Sequence, residues 1–293
     1  IYGPTASGKS SFAVQLAKKI KGEIINADSM QVYKDLNILT ARPQKKNFKN
    51  IKHHLYGFQK SNSNFSTGEW LELVKKKISE IKLKNKTPII VGGTGLYFKA
   101  LTEGLVEIPS IPVLLRNKIR KLQKKLGQKK FYEKLIKIDP LCNNKINLTD
   151  VQRSIRAYEV KMYTNKSIFL WYRNTKSNFK KKDFYKIIIN YPRHLLIKKI
   201  TTRTNQMLKK GAILEVKKFN KLKISKDKSI SKAIGINEIK DYLKKTANKD
   251  DIAEKISIKT RQYAKRQVTW ARGHMKSWKK INPDRLNIFL KKI

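Results

Sequence analysis

One cysteine, Cys142, stands in 293 residues. A lone thiol excludes an intramolecular disulfide and leaves nothing for a thiolate zinc cluster. No apolar run reaches the length of a membrane span, and no secretory signal is visible. The expected compartment is the cytosol, with no membrane partner. There are four histidines; no G-x-S-x-G segment is present, so serine-nucleophile chemistry has no support. Acidic residues are scarce, 21 against 68 Lys and Arg, giving a net charge of +47. Such an excess points to a polyanionic partner, nucleic acid above all. The plain alternative is a Lys-rich composition filling every exposed position. The spread of the charge, through Lys75–Lys77, Lys180–Lys182 and Lys244–Lys245, fits that alternative.

The first motif lies at the start of the chain. Gly3-Pro4-Thr5-Ala6-Ser7-Gly8-Lys9-Ser10 is a complete G-x-x-x-x-G-K-[ST] loop. Its glycines permit a tight turn, so successive N–H groups can face a phosphate pair. Lys9 adds a point charge, and the Ser10 hydroxyl can ligate Mg²⁺. The apolar Ile1-Tyr2 precedes the loop, and an amphipathic run (Phe12, Val14, Leu16, Ala17, Ile20) follows it. That is the strand–loop–helix context the motif requires. A P-loop strand normally has more than two residues, so further residues are expected before Ile1. The loop implies a bound pyrophosphate group, which need not belong to a nucleotide.

Glu23–Asp28 reads as a short buried strand ending in a carboxylate, and Thr87–Gly93 as a second strand feeding a glycine turn. Between them Ser66 and Glu69 have capping-box spacing and open a helix over 67–84. The β-α-β-α order means an α/β fold, a P-loop NTPase-like parallel sheet flanked by helices. Residues 106–182 carry Lys-rich helical stretches at 113–126, 129–138 and 150–164 and no strand pattern, an inserted all-helical domain. Residues 1–105 and 183–293 then form a discontinuous catalytic core. After the Ile187–Ile189 strand the pattern is helical at 193–210, 212–222, 234–245 and 250–272.

Ligands of parallel sheets bind at the carboxyl ends of strands. Asp28 and Thr94 stand at two such ends. Asp28 can hold Mg²⁺ or accept a proton, or it is a turn cap. Thr94 can donate to a phosphate oxygen, or cap the helix that follows. His53-His54 has no neighbouring ligands at metal spacing and reads as a structural loop pair. Lys199 and Arg203 are one helical turn apart and form either a phosphate clamp or a solvated basic face. The last long helix sets Arg261, Lys265, Val268, Thr269 and Arg272 on one side, with Tyr263, Arg266 and Trp270 near, which suits a nucleic-acid backbone.

These segments closely resemble the bacterial tRNA dimethylallyltransferases (isopentenyl transferases). The resemblance is carried by the P-loop, Ala27-Asp28-Ser29-Met30-Gln31-Val32-Tyr33, Thr40-Ala41-Arg42-Pro43, Val91-Gly92-Gly93-Thr94-Gly95-Leu96-Tyr97, Asp150-Val151-Gln152-Arg153, Arg156-Ala157-Tyr158-Glu159-Val160, and Lys265-Arg266-Gln267-Val268-Thr269-Trp270-Ala271-Arg272-Gly273. They occur in family order across essentially the whole chain. The resemblance implies that dimethylallyl diphosphate occupies the loop (Gly3, Thr5, Ala6, Ser7, Gly8, Lys9, Ser10), with Arg203 on the pyrophosphate and Mg²⁺ held partly by Ser10. The acceptor it implies is N6 of the tRNA adenosine immediately 3′ of the anticodon. Asp28 matches the family's general base and Thr94 the residue beside the bridging oxygen. Asp28, Ser29, Met30, Gln31, Gln152, Arg153, Ser154, Ile155 and Arg156 match stretches that contact tRNA. The basic last helix adds Arg266. The helical insertion corresponds to the part that grips the anticodon stem-loop, and the family implies a monomer. Three positions depart from the family pattern: Lys199 where many members have Arg, Arg42 for Lys, and Ile236 for Tyr.

Three other readings compete. A small-molecule P-loop kinase needs a second carboxylate after an apolar strand, where Ile89–Val91 leads instead into Gly-Gly-Thr. An adenylate isopentenyltransferase shares the early motifs, but the helical insertion and basic last helix favour a macromolecular acceptor. A non-catalytic RNA-binding protein has no need of Lys9, Asp28 and Thr94 together.

Overall fold

Tyr2 is the residue around which the sheet closes. A computed structural model describes residues 1–293, apart from the side chain of Lys181. The chain divides into two compact units, Ile1–Ala100 with Lys181–Ile293, and Leu101–Lys180.

In the first unit, β1 (Gly22–Ala27) pairs in parallel with β2 (His53–His54) on one side and β3 (Thr87–Gly92) on the other. Strands β4 (Ile187–Ile189) and β5 (Lys279–Ile281) also pair in parallel. Tyr2 bridges the two sets. It is parallel to Gly92 and to Ile188, its N–H donates to the Ile187 carbonyl at 2.8 Å, and its carbonyl accepts from Ile189 at 2.9 Å. The resulting order is β2-β1-β3-Tyr2-β4-β5. Every strand points the same way, so Pro4, Asp28 and Gly93 all emerge at one edge, where ligands of parallel sheets bind.

β1 is buried throughout and so is the Ile89–Gly92 end of β3, as expected of parallel strands covered by helices. α1 (Lys9–Lys19) lays Phe12, Ala13, Leu16 and Ala17 against Ile24, Ile89, Val91 and Ile189. α2 (Thr67–Lys82) begins at the full capping box of Ser66 and Glu69. Its Trp70 is fully buried, donates from Nε1 to the Asn26 carbonyl at 2.9 Å, and stacks on Tyr97 of α3 (Gly95–Glu103).

The second unit is helical. α4 (Val113–Ile138) is broken at Gly127, whose φ of +73° is a left-handed conformation that favours glycine, so two helices meet there. α5 (Val151–Thr164) packs on it, and α6 (Ile168–Tyr172) follows. Phe131, Leu135, Cys142, Tyr158 and Val160 form the centre of this unit. Burial and the Asp139 carboxylate push the Cys142 thiol up to about 12, so it is a core residue and not a nucleophile.

The first unit resumes with α7 (Arg193–Lys209), α8 (Ala212–Lys221), α9 (Ile236–Leu243), α10 (Lys249–His274) and, after β5, α11 (Leu286–Lys291). α8, α9 and α10 share a core with Val32, Tyr33, Leu36 and Leu39, which anchors the segment after Asp28. Two expectations are corrected. His53-His54 is an edge strand, where His54 Nε2 meets the buried Glu23 carboxylate at 2.7 Å. Lys279–Ile281, unrecognised in the sequence, is the other edge.

Candidate active site

The two P-loop glycines are required for different reasons. Gly8 has φ +81°, and a Cβ there would meet nothing within 4 Å, so glycine supplies conformation. At Gly3 a Cβ would stand 2.8 Å from Ser7 Oγ, so glycine supplies space. Ala6 is also left-handed at φ +64°. Ser7 is buried, and its hydroxyl has no hydrogen-bond partner among the described residues. α1 opens directly after Gly8 with no side-chain cap, which leaves its first N–H groups for a ligand.

Two cations meet at this loop. Lys9 Nζ donates to the Pro4 carbonyl at 3.4 Å, so the loop curls around its own lysine. Burial pulls Lys9 down to about 8, with Asp28 opposing the shift and Arg203 reinforcing it. Arg203, on α7, donates from Nη2 to Thr5 Oγ1 at 2.7 Å. Burial depresses the Arg203 pKa too, and the Asp28 charge again opposes. Lys199 is directed elsewhere, with its ammonium 4.7 Å from the centre of the Tyr191 ring. A cleft of about 580 Å³ opens beside the loop, lined by Ser10, Arg42, Arg203 and Lys210 among others. Arg42 itself is structural. It donates to the Tyr33 carbonyl at 2.8 Å and to Asn37 Oδ1 at 3.1 Å, a fork that lysine could not reproduce.

The Asp28 carboxylate is held by a local turn. Its N–H donates to Asn26 Oδ1 at 2.9 Å, and its Oδ1 accepts from the Met30 N–H at 3.0 Å. Asn26 is fully buried and donates from Nδ2 to the carbonyls of Asp28 and Leu55. Thr94 ties the end of β3 to this turn, because its Oγ1 accepts from the Ser29 N–H at 2.9 Å. So Asp28 is both a turn residue and a carboxylate poised beside two cations, and Oδ2 accepts no hydrogen bond from the described residues.

α10 completes the site with Gln267, to which the sequence reading gave no role, and with Tyr263 and Trp270, which that reading set beside a nucleic-acid-facing basic stripe. Gln267, 4% exposed, accepts from the Thr5 N–H at 2.8 Å and donates to the Gly93 carbonyl at 2.8 Å. Tyr2 hydroxyl donates to the Gln267 backbone carbonyl at 2.9 Å. One amide therefore joins the P-loop to the Thr94 loop. A Cβ on Gly93 would lie 2.1 Å from Gln267 Nε2, and one on Gly95 would lie 2.4 Å from the Trp270 ring. Tyr263 stands one turn before Gln267, its phenol beside Thr94 and Asp28, and burial raises its pKa. The spacing of 263, 267 and 270 places these side chains on the inner helix face. That spacing, with an amide at a buried helical position, was the available signal. Gln267→Leu keeps the volume and strands one donor and one acceptor. It is expected to cost about 1–3 kcal/mol per stranded group and to weaken diphosphate binding, read by thermal melting and calorimetric titration.

The residues expected to touch RNA separate on burial. Gln152 and Arg153 are exposed, with Arg153 74% exposed and 3.4 Å from Asp150. Arg156 is half-exposed. Ser154 and Ile155 are corrected: both are buried, Ser154 bonding the Asp150 carbonyl and Ile155 packing in the core. Met30 packs on the core of the first unit, and Gln31 donates to the carbonyls of Thr40 and Ala41. Arg266 is exposed, over the Tyr263 ring. Among the described residues no cluster of three His, Cys, Asp or Glu side chains could hold a metal, and no helix is long and apolar enough to cross a membrane.

The family model described as IPP transferase matches residues 31–274. A tRNA dimethylallyltransferase of Pelagibacter ubique is 60% identical over 293 residues, all of this chain and 94% of that protein. One from Rickettsia massiliae is 45% identical over 276 residues, 94% of this chain and 76% of that one. Among solved structures, a eukaryotic dimethylallyltransferase acting on tRNA superposes with a TM-score of 0.84 at 28% identity, covering 96% of this chain and 72% of its own. A tRNA isopentenylpyrophosphate transferase from Staphylococcus epidermidis gives 0.69 at 30%, covering 99% and 95%.

Proposed function

The chain belongs to the IPP transferase family, and we propose that its site moves a dimethylallyl group from dimethylallyl diphosphate to N6 of the tRNA adenosine immediately 3′ of the anticodon. Dimethylallyl transfer to tRNA is the activity of its relatives. The donor and the acceptor atom are our reading of the site. The observation that carries it is the convergence of one carboxylate, Asp28, with Lys9, Arg203 and an uncapped helix N-terminus at one sheet edge.

An exocyclic adenine amine is a weak nucleophile, because its lone pair is delocalised into the ring. Asp28 accepts a hydrogen bond from the N6–H, orients the amine and takes its proton. The N6–C1 bond forms as the C1–O bond of the donor breaks, and pyrophosphate leaves with the bonding pair. Lys9, Arg203 and the loop N–H groups stand where that negative charge grows. Thr94 lies beside the bridging oxygen.

Mg²⁺ fits this site only in the form the cation prefers with phosphates, mostly hydrated and held by one or two protein oxygens plus the substrate. Ser10, in the first turn of α1, would be the protein oxygen, and the ion would supply charge neutralisation on the diphosphate. The adenine reaches the cleft flipped out of its stack. The helical unit grips the anticodon stem-loop, and the protein acts as a monomer.

Two measurements test the donor and the acceptor separately. Free Lys9 titrates at about 8, and a bound diphosphate keeps it charged. Near pH 8, where the diphosphate itself is already fully ionised, binding therefore takes up a fraction of a proton. Affinity falls as pH rises above 8. Calorimetry of dimethylallyl diphosphate in buffers of different ionisation enthalpy reads this directly. Equal heats in all buffers at every pH from 8 to 9 would remove Lys9 from the diphosphate site. For the acceptor, Arg153→Gln and Arg266→Gln are each expected to weaken tRNA binding and to flatten its salt dependence by roughly one phosphate contact. An unchanged slope would count against a phosphate contact at that residue.

A further inference from the structure

The helical unit buries a carboxylate that has no close partner. Glu159 on α5 is 2% exposed, and three guanidinium groups surround it. Arg116 Nε lies at 3.7 Å and Arg120 Nε at 3.6 Å, both from α4, and Arg156 Nη1 at 3.7 Å from one turn back in α5. None is at short hydrogen-bond distance. Glu159 Oε1 and Arg116 Nε are both buried and without a hydrogen-bond partner.

As a stabilising device this is poor, since a buried charge loses hydration that such distances do not return. As a binding device it is coherent. One carboxylate faces three guanidiniums, so the cluster keeps a surplus of positive charge. Each arginine side chain is 42–44% exposed, so N–H donors remain open to solvent. Arg116 and Arg120 are one turn apart on one helix, and Arg156 faces them from the next. Arg153 lies one turn before Arg156, and the half-exposed Tyr172 is near enough for both charges to act on its hydroxyl.

Composition separates this cluster from the general lysine excess. Of the 68 basic residues only twelve are Arg, and four of those are Arg116, Arg120, Arg153 and Arg156. In a chain that fills its surface with Lys, Arg stands where a planar fork matters, and the fork matches phosphate geometry. An aromatic ring beside arginines adds a stacking surface suited to RNA.

We propose that Arg116, Arg120 and Arg156 form a phosphate-backbone site for tRNA on the helical unit, and that Glu159 is the positioning residue that holds the three forks in place before RNA arrives. The inference rests on the tRNA reading given above.

The role of Glu159 has an unusual signature. If the arginines acted only through their field, removing the negative charge in Glu159→Gln would tighten tRNA binding. If Glu159 positions them, the same variant binds more weakly although its net charge is more positive. The experiment measures tRNA affinity of the full chain across a salt series, with dimethylallyl diphosphate affinity and thermal melting alongside. Arg116→Gln and Arg120→Gln are each expected to weaken tRNA binding about tenfold and to lower the salt slope by roughly one. Arg120→Lys falls between wild type and Arg120→Gln. Lys137→Gln, a charge-matched change on exposed α4, stays near wild type, and diphosphate affinity is unchanged in all.

Wild-type affinity and slope in both Arg→Gln variants would overturn the site. Tighter binding by Glu159→Gln would overturn the positioning role. Should Glu159→Gln lower the melting temperature below the assay range, Arg120→Lys decides, since its equality with wild type removes any need for an oriented fork. Failure of the wild type itself to bind tRNA would overturn the tRNA reading and this site with it.

Discussion

Asp28→Asn is expected to lower turnover by about 10²–10⁴-fold without weakening diphosphate binding. This substitution is sharper than Asp28→Ala. The Asp28 Oδ1 accepts from the Met30 N–H, and that bond shapes the turn after β1. An Asn side chain also accepts there, so the turn survives, while the capacity to take a proton from N6 is lost. Asp28→Ala removes both. If Asp28 were only a turn cap, Asn would retain activity and Ala would lose it. If Asp28 is the base, both lose turnover to a similar degree. Single-turnover kinetics with saturating diphosphate separate the cases. The diphosphate affinity, measured near pH 6 where Lys9 stays charged without the Asp28 field, serves as the internal check, because the substitution removes a negative charge near Lys9 and Arg203.

Arg203→Met is expected to lower the rate of transfer by about 10²–10³-fold, the usual effect of removing one preorganised donor from developing negative charge. Arg203 is partly buried, and its guanidinium already points at the loop through Thr5 Oγ1 at 2.7 Å. It therefore needs little rearrangement to meet a leaving pyrophosphate. The loss appears in both diphosphate affinity and turnover, since the charge on the leaving group grows as the C–O bond breaks. Arg203→Lys restores the charge without the fork and is expected to recover only part of the rate. Wild-type turnover in Arg203→Met would mean that Lys9 and the loop N–H groups suffice. The arginine would then serve only to hold Thr5.

The parts of this fold legible in the sequence are those fixed by local chemistry. Ser66 and Glu69 mark a helix start because their reciprocal bonds span three residues, and Gly8-Lys9 marks another because the P-loop demands a left-handed residue there. Gly127 ends one helix and begins another for the same reason. The edge strands escaped because His53-His54 and Lys279–Ile281 are too short and polar to show a strand pattern. They exist because β1 and β4 offer them open edges.

The site divides in the same way. Asp28 and Thr94 are visible as strand-end residues. Asn26 holds Asp28 from two residues away but is itself anchored on the Leu55 carbonyl, and Gln267 joins two loops across the chain. The Thr5 to Gln267 bond spans 262 positions, and no local spacing encodes it. Ser154 and Ile155 went the other way. The resemblance carried the whole 152–156 stretch over to RNA contact, while helical geometry turns two of its five side chains inward.

The most direct test of the account incubates the protein with Mg²⁺, labelled dimethylallyl diphosphate and an unmodified tRNA carrying adenosine immediately 3′ of the anticodon. A second tRNA differs only in that base, and AMP and ATP run in parallel. Label is expected in the first tRNA, released as an N6-modified adenosine on digestion, and none in the second. Label on AMP, ATP turnover without transfer to RNA, or equal labelling of both tRNAs would contradict it.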